Sequence, residues 1–129
     1  MIENLNNEQI AGIMETIPID ISFVDENDKV KFWNKHETRV FKRPNSALGR
    51  TVQDCHPARS VDNVNQVLAD LKSGKRDYAE FWIDLKGRKV YIRYFALRNK
   101  TGKYMGTLEV GQDITDIKAI EGEKRLLDY

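Results

Sequence analysis

The last third of the chain carries three stretches suited to β-strands, separated by turn sequences. The stretches are Tyr78 to Leu85, Lys89 to Arg98 and Tyr104 to Asp113, and the turns lie at Lys86-Gly87 and Asn99 to Gly102. Strands joined by such short connections pair as antiparallel neighbours. A chain with this segment is therefore expected to be built on an antiparallel sheet.

A second pair of strands is predicted near the N-terminus. Residues 20 to 25 alternate apolar and polar side chains, residues 26 to 28 are typical of a turn, and Val30 to Asn34 is again strand-like. The order of elements is then helix, two strands, helices and three strands. This order predicts an α+β fold and lacks the strand-helix alternation of a parallel sheet.

The central helix is predicted from Ala58 to Ser73, directly after the sequence Cys55-His56-Pro57. Proline is tolerated in the first turn of a helix, and Gly74 supplies a C-terminal stop. An apolar stripe recurs at three- and four-residue spacing along the helix: Val61, Val64, Leu68 and Leu71. Extended back by one turn, this stripe reaches His56.

Further helices are predicted at both ends of the chain and between the strands. The first follows Asn6, which can form a capping box with Gln9, and stops at Pro18. Two short helices are expected between Asn34 and Gly49. The tail reads as a helix capped by Thr115. The predicted organisation is an N-terminal capping helix over 1–18, a core over 19–115 and a C-terminal linker helix over 116–129.

The composition narrows the classes of function. The 129 residues carry a net charge of +1 with scattered charges, which favours neither nucleic-acid nor membrane partners. No apolar run reaches the length of a membrane span, and a single cysteine, Cys55, excludes an internal disulfide and fits a reducing compartment. We therefore expect a cytoplasmic protein. No phosphate loop or catalytic motif is present, so no enzymatic activity is predicted.

One predicted strand is apolar on both of its faces. Val90, Ile92, Tyr94 and Ala96 point one way and can lie beneath the central helix. The opposite face exposes aromatic side chains, and such a patch needs a cover. The N-terminal helix is expected to cover this patch, either from the same chain or from a partner. We therefore predict a homodimer that forms through this helix and the outer face of the sheet. The outer-face residues are Trp82, Tyr91, Phe95 and Leu97.

Across nearly its whole length the chain resembles a PAS domain. The resemblance is carried by Phe23-Val24-Asp25, by Ala47 to Arg50, by Ser73-Gly74-Lys75, by Val90 to Leu97, and by Gly106 to Thr115. More narrowly, it resembles the C-terminal PAS region of bacterial and archaeal proteins whose N-terminal part is an uncharacterised or hemerythrin-like helical domain. The narrower match rests on Cys55-His56-Pro57, Lys72 to Arg76, Ala79 to Trp82 and Ile92 to Phe95.

This resemblance implies a five-stranded antiparallel sheet in the order 2-1-5-4-3, with helices across one face. It also implies a cavity that holds haem, flavin, a metabolite or nothing, and whose state is relayed to a neighbouring domain. The residues expected to line the cavity are His56, Val61, Val64, Leu68, Phe81, Ile92, Tyr94, Leu108 and Val110. The alternative is a ligand-free interaction module with a packed interior.

Haem is the cofactor that the resemblance favours, with His56 as the iron ligand. In one group of haem-bearing PAS proteins the axial histidine precedes a proline at the start of the central helix, as His56 does here. A competing interpretation is that His56 caps the helix through a side-chain hydrogen bond. Flavin photochemistry is not expected, because Cys55 and its neighbours differ from the light-sensing motif. Cys55 is expected to be a small buried hydrophobe.

Overall fold

The computed structural model describes residues 1 to 129. Short 3-10 helices lie at Ile2–Asn4, Asn45–Ala47, Val52–Cys55 and Ile117–Ala119. The helices and strands are α1 (Asn7–Thr16), β1 (Asp20–Asp25), β2 (Val30–Trp33), α2 (Ala58–Ser73), β3 (Tyr78–Leu85), β4 (Arg88–Arg98) and β5 (Tyr104–Asp113).

The strands form one antiparallel sheet in the order β2-β1-β5-β4-β3. The predicted α+β class and strand order are confirmed. The central pair, β1 and β5, approaches closely at Gly106, whose φ of 148° is unfavourable for other residues. A Cβ atom at this position would lie 2.2 Å from the carbonyl oxygen of Val24. Glycine is therefore required where β5 enters the middle of the sheet.

The first helix, α1, begins as predicted with a capping box. The Asn6 side chain accepts from the Gln9 amide at 2.8 Å, and the Gln9 side chain accepts from the Asn6 amide at 3.0 Å. The helix ends at Thr16, two residues before Pro18, and none of its side chains is fully buried. Its apolar face is thus only partly covered.

The second helix, α2, lies over the sheet and is fixed at both ends. Pro57 precedes its first residue, and Gly74 ends it in the left-handed conformation with φ 80°. Lys72 near its C-terminus forms an ion pair of 2.7 Å with Asp28 in the β1–β2 turn. Its stripe is buried at Leu68 and Leu71. A packed core is formed around Leu68 by Val24, Val30 and Val52.

The segment between β2 and α2 is less helical than predicted. Of the two short helices expected between Asn34 and Gly49, the structure contains one 3-10 turn, Asn45–Ala47. The end of this segment pairs with the start of β2 instead. The Gly49 amide donates to the Val30 carbonyl at 2.8 Å, and the Val30 amide donates to the Arg50 carbonyl at 2.9 Å.

The predicted helix over 116–129 is not formed. One 3-10 turn, Ile117–Ala119, is followed by extended and turn backbone, and Gly122 has a φ of 65°. The apolar side chains of the tail are solvent-exposed, Leu126 by 95%. Short helices are marginal in water unless an apolar face packs, and the apolar side chains of this tail are not packed. None of the helices has both the length and the apolar character that crossing a membrane requires.

Candidate ligand-binding cavity

A cavity of about 850 Å³ lies between α2 and the sheet. This volume falls within the range of about 300–1,000 Å³ that is usual for small-molecule sites. The apolar part of its wall combines the stripe of α2 with the inner face of four strands. Its members include Val24, Val30, Val64, Leu68, Phe81, Ile83 and Ile92. Phe81 and Ile83 remain 38% and 39% exposed, so the β3 side of the cavity is the more open one.

Six of the nine residues predicted to line a cavity do so. His56 contributes from the connector, and the others from α2, β3 and β4; they are Val64, Leu68, Phe81, Ile92 and Tyr94. Val61 is half-buried on the first turns of α2 but does not reach the cavity.

The prediction that Leu108 and Val110 face the cavity is wrong. Glu109 lies directly opposite Ser22 of β1 and Tyr94 of β4, and all three line the cavity. Because side chains alternate along a strand, Leu108 and Val110 lie on the outer face. The apolar residues of β5 were expected to point inward, yet its inward positions hold the polar residues Thr107 and Glu109.

The polar inward residues of β5 obtain side-chain partners, which makes their burial tolerable. The Tyr104 hydroxyl lies 2.7 Å from Thr107 Oγ1. Glu109 Oε1 lies 3.4 Å from Arg43 Nη2, and the two side chains retain 14% and 12% of their exposure. Sequence reasoning missed this pair. The available signal was an acidic residue, Glu109, between the apolar residues Leu108 and Val110 of β5.

Glu109, Tyr94 and Arg43 form one polar end of the cavity. The Nε atom of Arg43 is buried and has no hydrogen-bond partner. Burial raises the pKa of the Tyr94 hydroxyl well above its ordinary value, and the neighbouring Glu109 carboxylate adds to this rise. Tyr94 is therefore a neutral hydroxyl at all physiological pH values.

The loop that carries Arg43 is held in place by a second arginine, Arg39, which is 3% exposed. Its guanidinium donates to the Phe41 carbonyl at 2.7 Å, to the Asn34 carbonyl at 2.9 Å and to Ser22 Oγ at 2.9 Å. Desolvation lowers the pKa of Arg39 from its ordinary value. Arg39 thus fixes the loop to β1 and positions Arg43 at the cavity wall.

The family of the chain follows from a comparison of sequences. The sequence model of the PAS domain family matches residues 10–115. The chain belongs to the PAS domain family. Among curated protein sequences no match was found.

Solved structures of other proteins agree with the fold. A C-terminal domain from Streptococcus mutans is 34% identical, with a TM-score of 0.85 and 91% coverage of both chains. The PAS domain of Bordetella pertussis BvgS is 20% identical, with a TM-score of 0.61, 84% coverage of this chain and 85% of that one. The VqmA dimer of Vibrio cholerae, a LuxR-type receptor, is 21% identical, with a TM-score of 0.64; the match covers 95% of this chain and 58% of VqmA.

Within this PAS domain, His56 is held by a backbone hydrogen bond. Its Nδ1 lies 2.9 Å from the Val52 carbonyl oxygen. Since a carbonyl can only accept, Nδ1 carries the proton and Nε2 keeps its lone pair. This is the tautomer of histidines that bind a metal through Nε2. His56 is thus suited to serve as one ligand of a haem iron, and no second histidine or methionine lines the cavity.

Cys55 is half-buried and packs against the core around Val24 and Leu68, as expected of a small hydrophobe. His36 is exposed and accepts a hydrogen bond of 3.0 Å from the Trp33 indole. No group of three or more metal-binding side chains occurs in the structure. His56 is therefore the one histidine placed at the cavity.

The outer face of the PAS sheet carries an aromatic patch. Tyr78 and Trp82 on β3 are 52% and 62% exposed, and they lie opposite Phe95 and Tyr91 of β4. The Arg93 guanidinium stacks 4.8 Å from the centre of the Tyr91 ring. This aromatic patch stays accessible at the β3 edge.

Proposed function

We propose that this PAS domain senses a small molecule that binds in the cavity between α2 and the sheet. The observation that carries the proposal is the cavity itself, which joins a broad apolar wall to one buried polar end. An interior packed shut was the alternative, and about 850 Å³ of space beneath α2 argues against it. The domain is proposed to bind its ligand without transforming it.

The proposed signal leaves through β5, which forms one wall of the cavity and runs directly into the C-terminal tail. Thr115, just after β5, is tied back to the sheet, because its Oγ1 accepts from the Lys89 amide at 2.7 Å. Arg88 bonds Asp113 at 2.8 Å and Asp116 at 3.2 Å. A shift of β5 on ligand binding would therefore be passed to the tail and to a partner domain.

The sensing role is tested by NMR titration of the ¹⁵N-labelled protein with 3-methylindole, a small apolar probe. We expect saturable shifts of the amides around Leu68, Phe81 and Ile92. The variant Val67→Phe, which places an aromatic ring in the cavity from α2, should weaken them. The control Ala69→Phe, at an exposed position of the same helix, should retain them. Absence of saturable shifts in the unmodified protein would support the ligand-free module instead.

Haem is the second candidate occupant, and the geometry of His56 is what favours it. Its Nδ1 bond to Val52 leaves Nε2 free to hold an iron, and the apolar wall of the cavity would receive a porphyrin face. When bound, haem would supply an iron that can take up a diatomic gas. This chain would hold the iron through His56 and the porphyrin through the apolar wall of the cavity.

We further propose that the domain forms a homodimer through α1 and the outer face of the sheet. The exposed Trp82 and Tyr78 support this, as does the dimeric VqmA among the structural neighbours. We also propose that the domain lies C-terminal to a helical domain in a cytoplasmic protein. The Streptococcus mutans neighbour, itself a C-terminal domain, supports that placement.

A further inference from the structure

The polar end of the cavity limits the chemistry of the ligand. We infer that the ligand is an electrically neutral molecule whose apolar body carries an amide-like group, with a hydrogen-bond acceptor for Arg43 and a donor for Glu109. This inference rests on the proposed sensing function and specifies the class of molecule sensed. The inference follows from two observations. Some polar side chains of the cavity wall already have hydrogen-bond partners, and the ones with free capacity form a pair without net charge.

Most polar side chains on the inner face of the sheet already have partners. Ser22 Oγ accepts from Arg39 at 2.9 Å, and Thr107 Oγ1 pairs with the Tyr104 hydroxyl at 2.7 Å. Arg43 and Glu109 have capacity left, because their single contact of 3.4 Å is long for a hydrogen bond. A ligand that enters the cavity therefore meets Arg43 and Glu109, beside the Tyr94 hydroxyl, as its hydrogen-bonding partners at the polar end.

The hydrogen-bond donor that is left free is a single atom, Arg43 Nε. Arg43 Nε is buried and unpartnered, and a buried donor without a partner destabilises the protein. A ligand oxygen placed at Nε would remove this destabilisation. The carboxylate of Glu109 has further acceptor sites besides the one that faces Arg43. A neighbouring N–H on the same ligand group would use one of them.

The pair also disfavours a charged ligand. Arg43 and Glu109 neutralise each other at a site where both are largely buried. An anionic ligand would draw Arg43 away and leave the Glu109 carboxylate unpaired in the wall, which is costly. A cationic ligand would draw Glu109 away and leave the Arg43 guanidinium unpaired in the wall. A hydrocarbon ligand would leave the Nε donor unsatisfied.

Other charges do not change this conclusion. A neighbouring cavity of about 580 Å³ shares Arg43 and Glu109 with the first, and its wall also includes Lys42, Arg50 and Asp54. The first cavity itself includes Arg59. All four side chains are solvent-exposed, so their fields are screened over a short distance. The balance at the buried end is therefore set by Arg43 and Glu109.

Three probes that share one ring test the inference by NMR titration: indole-3-carboxamide, indole-3-carboxylate and 3-methylindole. In the unmodified protein we expect the carboxamide to bind about fivefold tighter than either of the others, as two added hydrogen bonds allow. Equal affinity for carboxamide and 3-methylindole, or tightest binding of the carboxylate, would overturn the inference and leave the sensing cavity standing. Failure of all three to bind would remove the sensing function as well.

Two variants make the test specific. In Glu109→Gln, which preserves the size of the side chain, Arg43 loses its counter-charge, and the carboxylate should overtake the carboxamide. In Arg43→Met the advantage of the carboxamide over 3-methylindole should disappear. The controls are Glu80→Gln on the outer face and Arg76→Met after α2, which change the charge by the same amounts outside the cavity. Both should bind the three probes with the same order of affinity as the unmodified protein. The same order in all four variants would also overturn the inference.

Discussion

The side-chain amide of Asn34 donates to the carbonyl oxygen of Met14 at 2.7 Å and so joins the end of α1 to the sheet. The same side chain accepts from the Ile21 amide at 2.7 Å, and it is fully buried. One asparagine thus satisfies backbone groups of both α1 and β1. Together with two exposed hydrogen bonds from Lys35 to Glu15, it links the N-terminal helix to the domain core.

Replacing Asn34 by alanine is expected to lower the free energy of unfolding by about 2–4 kcal/mol, because buried backbone groups lose their partners. Urea denaturation measures this change. The substitution should also accelerate amide hydrogen exchange, and the increase over the unmodified protein should be larger in α1 than in β5. The exposed Asn45, replaced in the same way, should change stability by less than about 0.5 kcal/mol. Equal effects of the two variants would show that the link is not structural.

Acid should weaken the tie between β5 and the tail. Hydrogen bonds from Arg88 and Thr115 lower the pKa of Asp113 from 3.8 to about 2. A carboxyl with a lowered folded-state pKa contributes stability above its unfolded pKa and loses it as the pH falls through the folded value. Urea unfolding between pH 5 and 2 should show this loss between pH 4 and 2. Asp113→Asn should flatten the dependence of the unfolding free energy on pH between pH 4 and 2. The control Asp62→Asn, at an exposed position, should leave this dependence unchanged. If Asp113→Asn also leaves it unchanged, the loss of stability does not come from Asp113.

The haem candidate makes a spectroscopic prediction. Mixing haem with the protein should shift the main haem absorption band, and His56→Ala should abolish the shift because the Nε2 ligand is lost. His36→Ala is the control, since His36 lies on the surface beside Trp33. An unshifted band with the unmodified protein, or the same shift with His56→Ala, would exclude His56 as an axial ligand.

The dimer proposal predicts that charge on the aromatic patch separates the protomers. Trp82→Glu should lower the sedimentation coefficient to that of a monomer, because a buried charge at an interface has no partner. Leu126→Glu in the tail alters an equally apolar and even more exposed residue. It should leave the dimer intact. A monomeric unmodified protein, or a dimer that tolerates Trp82→Glu, would refute this interface.

Most of the fold could be predicted from sequence, because local signals and periodicity agree there. The alternation around Ile92, the Asn6–Gln9 capping box and the Gly74 stop each act within a few residues. The tail shows the limit of the same signals. Its apolar side chains stay exposed and unpacked, so the helical pattern alone did not predict the structure of the tail.

The cavity was only partly predictable, because its polar end is made by residues far apart in sequence. Arg43 and Glu109 are 66 residues apart and meet through the Arg39-anchored loop. The inward face of β5 was misassigned for the same reason. Hydrophobicity favoured Leu108 and Val110 inward. The inward positions instead hold Thr107, which pairs with Tyr104 of the same strand, and Glu109, which pairs with Arg43 of the distant loop.

The most direct test of the central claim is where a bound molecule lies. Isotope-filtered NOE spectra of the labelled protein with 3-methylindole should show contacts to the methyl groups of Val64, Leu68 and Ile92, which line the cavity. NOEs to Leu108 and Val110 on the outer face, with none to the cavity methyls, would contradict the account.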